Sequence, residues 1–176
     1  CRICDRAGIR ERLDFGPQAI RNRFLRTPEE PEYTHGLALG CCCACGMIQL
    51  LDPPPVSELR PRFDWIKYNE PERHLDEVAT TLARLPGITS ESKFAGLSYK
   101  DDSTLARLNG LGFTATRRPD VRADLGIESP FAGIESIQER LTPRTTEMLE
   151  AKFGQPDVLL LRHVLEHAHD TRAALK

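Results

Sequence analysis

The chain has 176 residues, with 24 Lys and Arg against 26 Asp and Glu and a formal net charge of −2. At about 150 residues per domain that is one domain, or one with a small appendage, and it is long enough to bury a core. Its 40% hydrophobic and 28% charged residues are those of an ordinary soluble globule and exclude collagen-like, disordered and coiled-coil chains. The missing basic excess argues against nucleic acid as a partner, and no apolar run approaches the ~20 residues that span a bilayer.

The first element in chain order is a cysteine module. All six cysteines fall in two short stretches, Cys1-Arg2-Ile3-Cys4 and Cys41-Cys42-Cys43-Ala44-Cys45. A C-x2-C turn aims two thiolates at one point, and two such turns complete a closed tetrahedral zinc shell. Cys1, Cys4, Cys42 and Cys45 are the expected ligands, with Cys41 or Cys43 able to replace Cys42. Gly46 directly after the second pair lets the backbone turn tightly. A disulfide framework fits less well. No secretion signal is visible and the long remainder of the chain holds no cysteine, so a reducing, cytoplasmic setting is expected. Strands are expected near Ile9–Phe15 and Met47–Leu51.

Asp52-Pro53-Pro54-Pro55 is a stiff break. Residues 56–70 bring Phe63, Trp65, Ile66 and Tyr68. Apolar positions 75, 78, 79, 82 and 85 predict a helix over Leu75–Leu85, ended by Pro86-Gly87. Lys93–Ser98 predicts a strand, Ser103–Leu111 a helix and Phe113–Arg117 a second strand. Val121–Ala132 reads as irregular and Ile134–Arg140 as a third strand. Thr142 as N-cap with Pro143 behind it opens a helix to Phe153, and Gly154 stops it. Asp157–Leu161 is a buried strand of the parallel kind, and a last helix starts near Ala168. The expected division is a zinc-binding domain at 1–55, a linking helical segment at 56–90 and an α/β domain at 91–176.

Strands alternating with helices make a parallel sheet, whose ligands bind beyond the carboxyl ends of the strands. The residues there are Tyr99 to Thr104 after the first strand, Asp120 after the second, and Arg162-His163-Val164-Leu165-Glu166-His167 after the last. Asp120 stands about 20 residues past the first loop, where an acidic side chain commonly grips a ribose hydroxyl pair. The bland alternatives are a turn carboxylate for Asp120 and helix caps for Asp101 and Asp102.

With these residues in view, the chain resembles the S-adenosylmethionine (SAM) dependent sugar C-methyltransferases, which carry a zinc-binding domain ahead of a Rossmann-like methyltransferase domain. The similar stretches are CRIC, Asn22-Arg23-Phe24-Leu25, CCCACGMIQL, the aromatic FDWIKY and DVLLLRHVLEHAHD. The resemblance implies a small zinc-binding domain followed by an incomplete class I methyltransferase sheet, with structural zinc and SAM as cofactors. It implies a nucleotide-linked keto-deoxysugar as substrate and no membrane partner. It makes His167 and Tyr68 candidate catalytic residues, and Gly96, Ser98, Asp101, Asp102 and Asp120 candidate SAM contacts. Glu128 in Gly126-Ile127-Glu128 resembles a family G-V-E and competes with Asp120. The family loop G-x-N-D-G is here Gly96 to Ser103, with Ser103 where a second glycine stands. The family's sheet has further strands and its Glu-His base pair lies further on, so the chain is expected to be a fragment.

Two other classes are open. One is a non-catalytic zinc-ribbon interaction module on a degenerate methyltransferase fold. The other is a zinc peptidase, because His163-Val-Leu-Glu166-His167 fits H-x-x-E-H. That motif needs both imidazoles on one helix face.

Overall fold

The computed structural model describes residues 1–20, 23–59, 71–128, 134–168 and 170–175. Tyr68 with its aromatic stretch, and Asn22, lie outside them. The chain forms two compact units, Cys1–Lys67 with His169–Lys176, and Tyr68–Ala168.

The first unit is built on an antiparallel sheet of order β1-β2-β3, with β1 at Ile9–Ala19, β2 at Thr34–Cys42 and β3 at Ile48–Leu50. The sequence reading lacked the central strand β2. Alternation sends Ala38, Gly40 and Cys42 to one face and Leu37, Leu39 and Cys41 to the other. Ile9 pairs with Cys42, Leu13 with Leu39 and Ala19 with Thr34, with two irregularities that bend β1. Pro17 is tolerated because β1 is an edge strand. Leu39 pairs with Leu50 and Gly40 with Gln49. A Cβ at Gly40 would lie 2.6 Å from Ile9 Cγ2, 3.2 Å from the Arg10 carbonyl oxygen and against the Leu51 side chain, so these neighbours would have to shift. After the proline break a short helix, α1 at Val56–Leu59, presents Glu58 to Arg23 in an ion pair.

The second unit is a three-stranded parallel sheet of order β5-β4-β6, with β4 at Phe94–Gly96, β5 at Thr116–Arg117 and β6 at Val158–Leu160. Phe94 pairs with Thr116 on one side and with Val158 on the other. Parallel neighbours need crossovers, and helices supply them. These are α3 at Asp102–Gly110 between β4 and β5, then α4 at Ile134–Ile137 and α5 at Pro143–Phe153 before β6. Helix α2 at His74–Ala83 precedes β4 and adds Ala79 to a core of Phe94, Leu105, Leu108, Phe113 and Leu160. Phe94 and Phe113 meet edge to face with centroids 4.9 Å apart. Burying side chains such as Phe94 and Leu108 stabilises by about 1.5–3 kcal/mol each. A second cluster joins Leu97, Val121, Leu125, Ile137 and Val164.

One expected element is corrected. Ile134–Arg140 is not a strand: residues Ile134–Ile137 form α4 and a turn follows. The spacing of Ile134 and Ile137 is helical, and Ile137 is fully buried in the second cluster. The sheet therefore has three parallel strands among the described residues, not four. The helix over Pro143–Phe153 follows the sequence closely, with Thr142 accepting from the Thr145 N–H at 3.2 Å.

Strand β4 comes first in this sheet yet lies in its centre. The chain runs from β4 to β5 on one side, then crosses to β6 on the other, which is a topological switch point. No helix among the described residues is long and apolar enough to cross a membrane.

Candidate functional site

Four sulfurs converge in the first unit. One ligand atom from each of Cys1, Cys4, Cys42 and Cys45 lies within 4.8 Å of every other. Cys1 and Cys45 sulfurs are 3.7 Å apart, as are those of Cys4 and Cys42. A tetrahedron with Zn–S bonds of about 2.3 Å has an edge of about 3.8 Å. All six cysteines are free thiols, and the cluster of four could hold a metal ion.

The two turns that carry these sulfurs match each other. Asp5 N–H donates to the Cys1 carbonyl at 2.9 Å, and Gly46 N–H donates to the Cys42 carbonyl at 2.9 Å. Asp5 and Gly46 each follow the second cysteine of a pair, and both are left-handed, with φ of 61° and 75°. Asp is among the few non-glycine residues that enter this region readily. The register Ile9 to Cys42 sets the start of β1 beside the end of β2, so both turns sit at one end of the sheet. Arg2 N–H, inside the first turn, donates to Gln49 Oε1 on β3 at 3.0 Å. Asp5 also pairs with Arg172 of α6, the helix at Thr171–Ala174, at 2.7 Å.

The ambiguity over the ligand at 41–43 resolves by alternation. Cys42 is buried on the cluster side, whereas Cys41 points its thiol at the Gly46 and Cys42 carbonyls and Cys43 is exposed. Backbone N–H groups of Cys45 and Ala44 bring the Cys42 thiol down to about 7. At Cys45 the Met47 N–H favours the thiolate, yet the Cys4 and Cys42 sulfurs outweigh it and push the thiol up. Four cysteine sulfurs in a tetrahedral set are a ligand type that suits zinc.

In the second unit, the candidates at 96–102 form one loop after β4. Ser98 caps the short 3-10 turn Tyr99–Asp101, accepting from Lys100 N–H at 3.2 Å. Asp101 is fully buried; its Oδ2 accepts from Leu97 and Ser98 N–H at 2.8 and 2.9 Å, and its Oδ1 from Arg162 N–H at 3.0 Å. Gly96 packs under it, since a Cβ there would lie 2.6 Å from Asp101 Cβ. Asp102 pairs with Arg118 at 2.6 and 3.2 Å, linking this loop to the one after β5.

Asp120 follows β5, exposed, and its Oδ1 accepts from Arg122 and Ala123 N–H at 2.9 and 2.7 Å. Those bonds, Ala123 first, hold its carboxyl below the usual value of 3.8. Glu128 is exposed in an ion pair with Arg122 at 3.3 Å. After β6, His163 is left-handed with φ of 56° and its Nδ1 lies 3.1 Å from Glu166 Oε1. His167 is exposed at the end of the 3-10 turn Leu165–His167. The H-x-x-E-H stretch thus lies on two turns and not on one helix. The four cysteines are the metal-ligand cluster found among the described residues.

The sequence marks Arg162 as a strand-tip residue without giving it a role, and it does not mark Glu72 at all. Arg162, directly after β6, donates through Nη1 to Ser103 Oγ and Glu72 Oε1, both at 3.1 Å, and to the Lys100 carbonyl. Arg162 stands in sequence where a strand-tip residue is expected, but nothing local marks Glu72, 90 positions away.

Residues 1–59 match the family model Methyltransf_13, whose description reads "Putative zinc binding domain". No curated protein matches the chain. Residues 1–59 are thus similar to a methyltransferase-associated zinc-binding domain, and Cys1, Cys4, Cys42 and Cys45 are the residues there that could hold a metal ion.

Proposed function

We propose that this chain is part of a SAM-dependent methyltransferase acting on a small molecule, a nucleotide-linked keto-deoxysugar, in the cytoplasm. The observation that carries this reading is the parallel sheet with its switch point between β4 and β6, in one chain with a methyltransferase-associated zinc-binding domain. Carboxyl-end crevices of such sheets take nucleoside ligands. When bound, SAM supplies an electrophilic methyl group.

The chain's own residues then divide the work. Asp120 stays ionised at the tip of β5 and accepts hydrogen bonds from a ribose diol. Asp102, held by Arg118, borders the same edge. Gly96, Ser98 and Asp101 shape the loop after β4, since their polar atoms serve that loop itself. His167, exposed after β6, moves a proton at the acceptor carbon, which the neighbouring keto group acidifies. Zinc holds the two turns of the first unit and takes no part in the transfer.

A second reading, a non-catalytic module, is favoured by one observation. The N–H groups of Leu97, Ser98, Lys100 and Asp101 are all taken within the loop, which leaves no open glycine-rich cradle. Calorimetric titration of the zinc-loaded chain with SAM and with S-adenosylhomocysteine separates the two. Saturable binding with one site supports the methyltransferase. No heat at millimolar ligand selects the module.

A further inference from the structure

We propose that Arg162 is the positioning residue of the strand-tip site, tying the loop after β4 to the turn after β6 so that both tips hold one shape. Its consequence for a ligand rests on the donor reading above; the tie itself rests on geometry alone.

The β4–β6 ladder ends at Gly96 and Leu160. Beyond it, the Asp101 carboxylate continues the connection, taking Leu97 and Ser98 N–H on one side and Arg162 N–H on the other. The Arg162 side chain then turns back to the same loop. Its Nη1 donates to the Lys100 carbonyl, Ser103 Oγ at the start of α3, and Glu72 Oε1 ahead of α2. Ser103 Oγ donates to that same Glu72 oxygen at 2.9 Å, which closes the ring of contacts. Arg107 flanks it, with Nη1 donating to the Ser103 carbonyl at 2.9 Å and Nη2 to the Glu72 carbonyl at 3.3 Å. The Arg162 side chain is only 15% exposed, so its charge-assisted bonds are shielded from water and are the stronger for it.

One residue therefore holds the β4 loop twice, through its backbone and through its guanidinium. Without the guanidinium, the Lys100 carbonyl and the Ser103 hydroxyl lose their bonds to Arg162, and of the Arg162 tie only its backbone bond to Asp101 remains. Strand-tip loops with few buried contacts open first. His163 to His167 follow Arg162 directly, so loosening the tie also loosens the segment that bears His167.

The test is hydrogen exchange of the full zinc-loaded chain, without added ligand, in wild type and Arg162→Met. Methionine keeps an apolar stem and the backbone N–H to Asp101. Amides of Leu97, Ser98 and Lys100 are expected to exchange about tenfold faster, while Phe94, bonded to the Ala115 carbonyl, keeps its rate. Unchanged rates in the loop overturn the proposal. Uniform acceleration that includes Phe94 also overturns it, because Arg162 would then be a general stabiliser. Glu72→Gln removes a charge and keeps an acceptor. It is expected to speed the same amides about two- to threefold, and it decides the matter alone if Arg162→Met does not fold. S-adenosylhomocysteine is expected to bind Arg162→Met about tenfold more weakly than wild type, and equal affinity overturns the ligand role. If wild type takes none, the donor reading fails, and the exchange comparison still decides whether the tie exists.

Discussion

The sulfur of Cys4 stands 3.7 Å from the sulfur of Cys42, across 38 positions of sequence. The long strand β1 and the connection to β2 lie between them. An ion held by both therefore closes a long loop as well as a local turn. In such sites the metal supplies folding free energy, about 10–16 kcal/mol in zinc-finger peptides.

Atomic absorption on the purified chain is expected to give one zinc per molecule. Cys4→Ser and Cys42→Ser are expected to lose it, together with strand signal in far-ultraviolet circular dichroism. Cys43→Ser is expected to keep it. Retention of zinc by Cys42→Ser would mean that Cys41 or Cys43 takes its place.

His163→Ala and His167→Ala are expected to leave the zinc content at the wild-type value. Their imidazoles lie on turns after β6, not on one helix face. Loss of metal from either variant would restore the peptidase reading.

Acid is expected to weaken the second unit partly through Glu72. Burial raises its carboxyl, but hydrogen bonds from Ser103 and Arg162 outweigh burial and hold it below the usual value of 4.5. A depressed carboxyl stabilises fully above its unfolded value of about 4.5, and that contribution fades as pH falls through the lower folded value. Denaturant unfolding between pH 3 and 6 is expected to show a shallower acid limb for Glu72→Gln than for wild type.

Gly96→Ala is expected to cost about 1–3 kcal/mol by overpacking. The new methyl would lie 2.6 Å from Asp101 Cβ and 3.2 Å from Leu105 Cδ1. The midpoint of urea unfolding reads this directly.

Thr142→Ala is expected to cost about 1 kcal/mol, and Thr142→Ser much less, because serine keeps the cap on the Thr145 N–H. Thermal unfolding of the two variants side by side makes the comparison.

What the sequence disclosed was what local chemistry decides. The two C-x2-C turns and the Thr142-Pro143 start with its Gly154 stop depend on residues within a few positions of one another. Strand β2 was hidden because Gly36 and Gly40 lower strand propensity, and only its pairing with β1 and β3 overrides them. The alternation of Leu37, Leu39 and Cys41 was the available signal. Ile134–Arg140 misled because β-branched isoleucines suggest a strand, whereas burial of Ile137 against Leu97 and Val164 is a tertiary fact. The links of Arg162 to Glu72 and of Asp102 to Arg118 cross between elements, where no periodicity reports them. Tyr68 lies outside the described residues, so its expected part stays with the sequence.

The Asp101 carboxylate already occupies the amides of Leu97 and Ser98, so the first loop of this sheet brings its own anion. A diphosphate arriving there would meet negative charge instead of open N–H groups.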